Sequence, residues 1–254
     1  MTNLAFWVLD EDEPEVRARF KWVNPRKPFK SSLYSFGAEY VSTTLARQLD
    51  LPTAEIYLEE IDGDTGLVSL RVPGVPWSVL SHDTIRAATF VDKKAWPRYM
   101  VFDVLVANHD RTPDNLFVEW DPPLRRPLSQ GEQATLWLID YGFSCLWPVY
   151  KFGENLSLGD IQGISPDADL RTEFTQALRN NAPPQYYMRF PFRGSTERAQ
   201  AIEFVRRITD DDIEQAVAKV PKTYMTKQEA ELTAAFLRGR LARIDTLVDT
   251  VFPM

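Results

Sequence analysis

The chain reads as an α+β fold of two lobes, a small β-rich lobe with one helix over residues 1–75 and a larger, mainly helical lobe over residues 76–254. Three observations predict this. Apolar and polar residues alternate along much of the first 75 positions, the period of half-buried strands; Pro73-Gly74-Val75-Pro76 then interrupts regular structure; beyond it, apolar residues recur mostly at helical spacing. With 254 residues, 44% hydrophobic and 26% charged, the chain has apolar material for a sizeable core.

Residues 4–9 and 16–23 are expected to pair about the turn Asp10-Glu11-Asp12-Glu13-Pro14, because Val16, Ala18, Phe20 and Trp22 alternate with Arg17, Arg19 and Lys21. From Leu33 to Leu49 the spacing is helical, with Phe36, Tyr40, Val41, Thr44, Leu45 and Gln48 on related faces. Ser31, Ser32 and Ser35 offer caps, and Asp50-Leu51-Pro52 ends the helix. The runs TAEIYLEEI (53–61) and GLVSLRV (66–72), joined through Asp62-Gly63-Asp64-Thr65-Gly66, predict a second hairpin. Further on, one hairpin spans Leu116 to Ile139 around a proline-rich stretch at 121–133. Two amphipathic helices close the chain, Asp210–Val220 and Thr226–Val251. Thr209 before Asp210-Asp211-Asp212 reads as a helix start whose carboxylates complement the helix dipole.

Composition excludes several classes of function. Twenty-nine basic and 36 acidic residues give a net charge of -7, which argues against general binding to nucleic acid or anionic membranes. One cysteine, Cys145, forms no internal disulfide, and with two histidines it makes no structural zinc site; a reducing cytoplasm is the expected setting. The start, MTNLAFWVLDEDEPEV, turns acidic too early for a secretory leader. The most apolar window, Tyr99 to Ala107, contains Asp103 and falls far short of the ~20 residues of a membrane span.

The informative stretch is FDVLVANHDRTPDNLFVEW (102–120), followed by LWLIDYG (136–142). An apolar helix runs into a polar turn, a strand leaves it, and a second apolar strand ends at an aspartate before Tyr-Gly. Such a set suits phosphoryl transfer, which needs Mg²⁺ against nucleotide phosphates and a carboxylate near the attacking hydroxyl. Asn115 and Asp140 offer the oxygen ligands a hard cation takes. Asp110 is the group to accept the hydrogen bond and then the proton of the substrate hydroxyl, while Arg111 holds the loop's geometry. Singly, Asp110 and Asn115 suit a turn for backbone reasons alone; their coincidence with Asp140 favours chemistry. His109 reads as a brace for the loop, His82 as exposed loop, and Cys145 as a buried small hydrophobe.

The five-residue spacing from Asp110 to Asn115, then a strand ending in Asp-Tyr-Gly, matches the protein-kinase rule of catalytic Asp, metal Asn and Asp-Phe-Gly. The order His109-Asp110-Arg111 inverts the usual His-Arg-Asp. With Asn108 to Asn115 and LIDYG it resembles the HipA-like kinases and, nearly as well, the type II phosphatidylinositol 4-kinases. That resemblance implies a protein-kinase-like fold, ATP and Mg²⁺ as cofactors, and transfer of the γ-phosphate to a hydroxyl, above all Ser or Thr of a protein substrate. It also implies that Lys21, in RARFKWV, holds the nucleotide phosphates and that Glu39, in SFGAEYVSTTLARQLDLP, pairs with it. On the residues alone, both read equally as solvated strand and helix positions. Two features depart from the pattern: no glycine precedes Gly37, where a Gly-rich phosphate-covering loop is expected, and no Ala-Pro-Glu follows Gly142. Two other readings stay open. One is a phosphatidylinositol 3/4-kinase-like lipid kinase, disfavoured by the scattered basic residues; the other is a catalytically weak nucleotide-binding scaffold. A regulatory protein partner is left open as well.

Overall fold

A computed structural model of the chain describes residues 4–9, 17–22, 30–80, 89–90, 95–108, 110–120, 133–142, 144–146 and 192–253. The first expected turn, the side chains of Ser31 and Ser32, His82, His109 and nearly all of the proline-rich stretch lie outside the described residues.

Strands β1 (Leu4–Leu9) and β2 (Arg17–Trp22) pair antiparallel, with Ala5 opposite Lys21 and Trp7 opposite Arg19. Alternation in β2 buries Ala18 and Phe20 and exposes Arg17 and Arg19. Lys21, on the face of the two arginines, turns inward instead, its side chain only 12% exposed. Helix α1 (Lys30–Gln48) starts earlier than its spacing predicts and buries Tyr34, Phe36, Val41 and Leu45. It ends in a Schellman motif: Leu51 N–H donates to Ala46 O (3.0 Å), Asp50 N–H donates to Arg47 O (2.9 Å), and Asp50 takes the left-handed position at φ 57°. β3 (Ile56–Ile61) and β4 (Asp64–Leu70) are joined by Asp62 and Gly63 alone, both at positive φ, the primed turn whose twist matches a hairpin. The sheet order is β1-β2-β4-β3.

Past Pro73-Gly74 the chain enters a second sheet, of order β5-β7-β8-β6. Its centre is the expected hairpin, β7 (Leu116–Trp120) with β8 (Gln133–Leu138). Two short strands flank it, β5 (Val75–Pro76) antiparallel to β7 and β6 (Thr89–Phe90) parallel to β8. Sequence pattern did not signal either, since a two-residue strand carries no period and exists only through its partner. Between β6 and β7 lies helix α2 (Ala95–Leu105).

Four helices close the chain: α3 (Ser195–Val205), α4 (Asp210–Ala218), α5 (Lys227–Ala242) and α6 (Ile244–Val251). Capping boxes start α4, through Thr209 and Asp212, and α5, through Thr226 and Glu229. The single helix expected over 226–251 is two helices, because Arg243 leaves the helical region at φ -118° and ψ 20°. α3 and α6 pack on α2, and α4 packs on α1. Side chains tie α1 at both ends. Tyr34 Oη shares a hydrogen bond with Thr233 Oγ1 (2.9 Å) and accepts from Leu146 N (3.1 Å), while Gln48 donates to Asp212 (3.2 Å). Among the described residues no helix is long and apolar enough to cross a membrane.

Candidate active site

The site begins with a charge inside an apolar helix. Asp103 lies in the middle of α2, fully buried among Met100, Phe102 and Val104. A lone buried carboxylate is costly, so it must be paired. Arg111 supplies the pair: its Nε donates to Asp103 Oδ2 (2.8 Å) and its Nη2 to Oδ1 (3.0 Å), with both side chains wholly excluded from solvent. Asn108 Nδ2 gives Asp103 Oδ1 a third donor at 3.0 Å. Burial works against the Arg111 charge, yet Asp103, with Tyr141 and Asp140, holds the guanidinium above its ordinary pKa.

The same guanidinium spends Nη1 on two carbonyls, Asn115 O (3.0 Å) and Ile139 O (2.8 Å). It thereby joins the turn after α2 to the residue preceding Asp140. Arg111, expected to hold the loop, faces into the protein and presents nothing to a substrate. α2 itself ends in a second Schellman motif, Ala107 N–H to Val104 O (3.2 Å) and Asn108 N–H to Asp103 O (2.9 Å), with Ala107 at φ 52°. Arg240 of α5, 1% exposed, donates to Val104 O and Leu105 O, placing a cation where the helix dipole is negative.

Asp110 is held by its own turn: its N–H donates to Asn108 Oδ1 (3.1 Å), and Asn115 Nδ2 donates to its carbonyl (2.7 Å) and to Oδ2 (3.3 Å). Burial and then the Asp140 charge push the Asp110 carboxyl above its ordinary pKa, against Asn115, Arg111 and Lys21. With Nδ2 of Asn115 spent on Asp110, its Oδ1 is the atom left for a ligand, and no described donor reaches it. Backbone pairing brings Asn115 next to the strand end, since Ile139 N–H donates to Asn115 O at 3.1 Å.

Asp140 sits at φ 56°, a left-handed position that aspartate tolerates better than most residues. Lys21 Nζ lies 3.0 Å from Asp140 Oδ2 and 3.2 Å from each carboxylate oxygen of Glu39. One ammonium from β2 thus serves two carboxylates, one from α1 and one from the end of β8. Burial raises the Asp140 pKa, but Lys21, the Gly142 N–H and Arg111 outweigh it and hold the carboxyl below its usual value. Glu39, only 3% exposed, is pushed the other way, to about 7, by burial first and by Asp140 against the pull of Lys21. Burial is the main cause, and the second carboxylate on the shared cation adds to it, so the more buried of the two takes the cost. Lys21 remains charged, as its two partners overcome the effect of burial and raise its pKa.

At Gly142 a Cβ would lie 2.8 Å from Ser35 Oγ and 3.3 Å from Asp140 Oδ1, so a larger residue presses on the carboxylate. Ser144 then binds the strand end to α1, its Oγ 2.7 Å from Ser42 Oγ and donating to Tyr141 O (2.6 Å). Cys145 is buried, and burial lifts its thiol to about 11, against the sulfur's hydrogen bonds to Ser42 and Ser144 and Arg240's charge, so it stays a neutral hydrophobe. All six residues singled out from the sequence therefore lie in one linked cluster. Asp103, Arg240 and Ser144 join it unannounced, Asp103 because a single acid in an apolar run gives no hint of its partner.

Asn115 Oδ1 and the ionised Asp140 could hold a hard cation. Among the described residues no three His, Cys, Asp or Glu gather into a group that could hold a metal ion.

No family model matches the chain, and no curated protein matches it. Among solved structures it is similar to the crystal structure of a Helicobacter pylori proinflammatory kinase, CtkA. The TM-score is 0.60 at 15% identity, covering 96% of this chain and 92% of that one. At that identity the likeness speaks to architecture: the mixed α/β chain has a kinase-like fold.

Proposed function

We propose that the chain is a HipA-like kinase that transfers the γ-phosphate of ATP to a hydroxyl, that of Ser or Thr in a protein. The observation that carries this reading is the Lys21 ammonium between Glu39 and Asp140, beside the Asp110–Asn115 turn. In it, residues 1–75 form the nucleotide-binding lobe and residues 76–254 carry the catalytic and metal loops. Lys21, kept in place by Glu39, binds the nucleotide phosphates. Asn115 and Asp140 hold Mg²⁺, which when bound neutralises charge on the phosphate oxygens.

Asp110 orients the acceptor hydroxyl. The hydroxyl oxygen forms a bond to the γ-phosphorus, the bond from that phosphorus to the β–γ bridging oxygen breaks, and Asp110 takes the hydroxyl proton as ADP leaves. Its raised pKa suits a group that must accept a proton. Arg111 and Asp103 act through the loop and are positioning residues.

The test is transfer of label from γ-labelled ATP with Mg²⁺ into a cytosolic extract and, separately, into phosphatidylinositol vesicles. Label in protein is the expected result. Label in lipid alone overturns the acceptor and favours a lipid kinase; ATP binding without transfer to either leaves a nucleotide-binding scaffold.

A further inference from the structure

The register of β1 on β2 places a second functional pair next to Lys21. Directly opposed residues of an antiparallel pair share a face, and so do residues two apart on a strand. Ala5 opposes Lys21 and Trp7 opposes Arg19, so Trp7, Arg19 and Lys21 lie on one face of the first sheet. Lys21 fixes which face this is, for its ammonium reaches Glu39 and Asp140. Trp7 stands diagonally from Lys21, a separation of about 7–8 Å.

Trp7 is 62% exposed. The aromatics of β2 behave differently: Phe20 and Trp22 stack on each other at 6.0 Å on the opposite face, and Phe20 is fully buried. β1 is also a sheet edge, where an uncovered indole invites unwanted pairing and where charge is the usual protection. Core packing therefore gives no reason for a tryptophan here. Arg19 is exposed too and makes no ion pair among the described residues, yet its charge is felt at Glu39. A flat aromatic and a cation on the site's own face, one diagonal step from the phosphate-binding ammonium, complement a nucleotide: a ring system at one end and anionic phosphate at the other.

We infer that Trp7 and Arg19 form the base and phosphate platform of the nucleotide site, the Trp7 indole stacking on the nucleobase and Arg19 contacting the phosphate chain. The inference rests on the kinase reading above and deepens it. A guanidinium would meet the phosphate chain and an exposed ring the base. Stacking of a base on an aromatic tolerates any base, so the platform accepts GTP as well as ATP.

Calorimetric titrations of the full chain with MgATP and with inorganic tripolyphosphate plus Mg²⁺ test this, using Trp7→Leu, Trp7→Phe and Arg19→Ala. Trp7→Leu is expected to weaken ATP about tenfold while leaving tripolyphosphate unchanged, Trp7→Phe to keep ATP within about threefold, and Arg19→Ala to weaken both ligands. ATP binding by Trp7→Leu equal to wild type overturns the platform and leaves the kinase reading standing. Equal loss of both ligands in Trp7→Leu also overturns it, since the ring then supports the sheet and not the base. A wild-type chain that binds neither ligand overturns the kinase reading itself, and the platform with it.

Discussion

Asp103 and Arg111 form a two-point ion pair wholly inside the protein, one partner on a helix and the other on the turn that carries Asp110. Removing one partner of such a pair strands the other. Asp103→Leu is expected to cost about 3–5 kcal/mol of stability. The double change Asp103→Leu with Arg111→Met is expected to recover most of that and still fail in transfer, because the carbonyls of Asn115 and Ile139 lose their shared donor. Denaturant melts alongside ATP turnover check it; a double variant that regains turnover with stability would make the pair purely structural.

Asp140 and Asp110 are expected to fail differently. Asp140→Ala should abolish Mg²⁺-dependent ATP binding, whereas Asp110→Ala should leave binding within a few-fold and remove transfer. In the wild type, transfer should decline on the acid side as Asp110 takes up a proton, at a pH above that of an exposed aspartate. Calorimetry with Mg²⁺ and a pH profile of transfer decide; equal loss of ATP affinity in both variants contradicts the division of roles.

Glu39 links the unliganded fold to pH. Its ordinary value is 4.5 and its folded value about 7. Between these the folded chain holds a proton that the unfolded chain has released, so stability is favoured at low pH and lost as the pH rises through about 7. Glu39→Gln, which cannot titrate, should flatten the fall in Tm between roughly pH 5 and 8 when metal and nucleotide are withheld. Parallel Tm profiles for the two proteins would show the carboxyl to be ionised throughout.

Tyr141 is fully buried, edge-on to Phe102 and under the Arg111 guanidinium, and its hydroxyl makes no well-aligned hydrogen bond among the described residues, Arg111 being at best an imperfect donor to it. A buried hydroxyl without a well-aligned partner is a cost. Tyr141→Phe should raise stability by about 1 kcal/mol and leave ATP affinity unchanged. A clear drop in Tm would mean the hydroxyl is satisfied in solution.

The sequence spoke most clearly where one period ran long enough. β2, α1 and the Asp62-Gly63 hairpin carry their own patterns and turn chemistry, and the Asp110, Asn115 and Asp140 spacing marks the loop. It was silent where a residue's role is set by something distant. Arg243 interrupts the helix with no glycine or proline at the break, and the buried run Leu237, Arg240, Ile244, Leu247, Val251 keeps helical spacing through it, so the pattern carries no sign of the break. Lys21 shares the alternation of Arg17 and Arg19, and only Glu39 and Asp140 draw it inward. A tryptophan in a strand reads as core until the register puts Trp7 on the open face.

The ties on α1 bear on how such a protein could be switched. Tyr34 is bound to Thr233 and to the backbone of Leu146, Ser42 to Ser144, and Gln48 to Asp212, so the helix that carries Glu39 is riveted along its length. A lever needs a free end, and among the described residues the helix is tied from Tyr34 to Gln48. Swinging Glu39 away from Lys21 would mean breaking four separate polar contacts and unpacking Phe36 and Leu45, which are buried on opposite faces of the helix. Control of turnover by an effector would then fall to whatever gates entry of the nucleotide or the acceptor, or to the proton that Glu39 takes up near pH 7, and not to a swing of the helix.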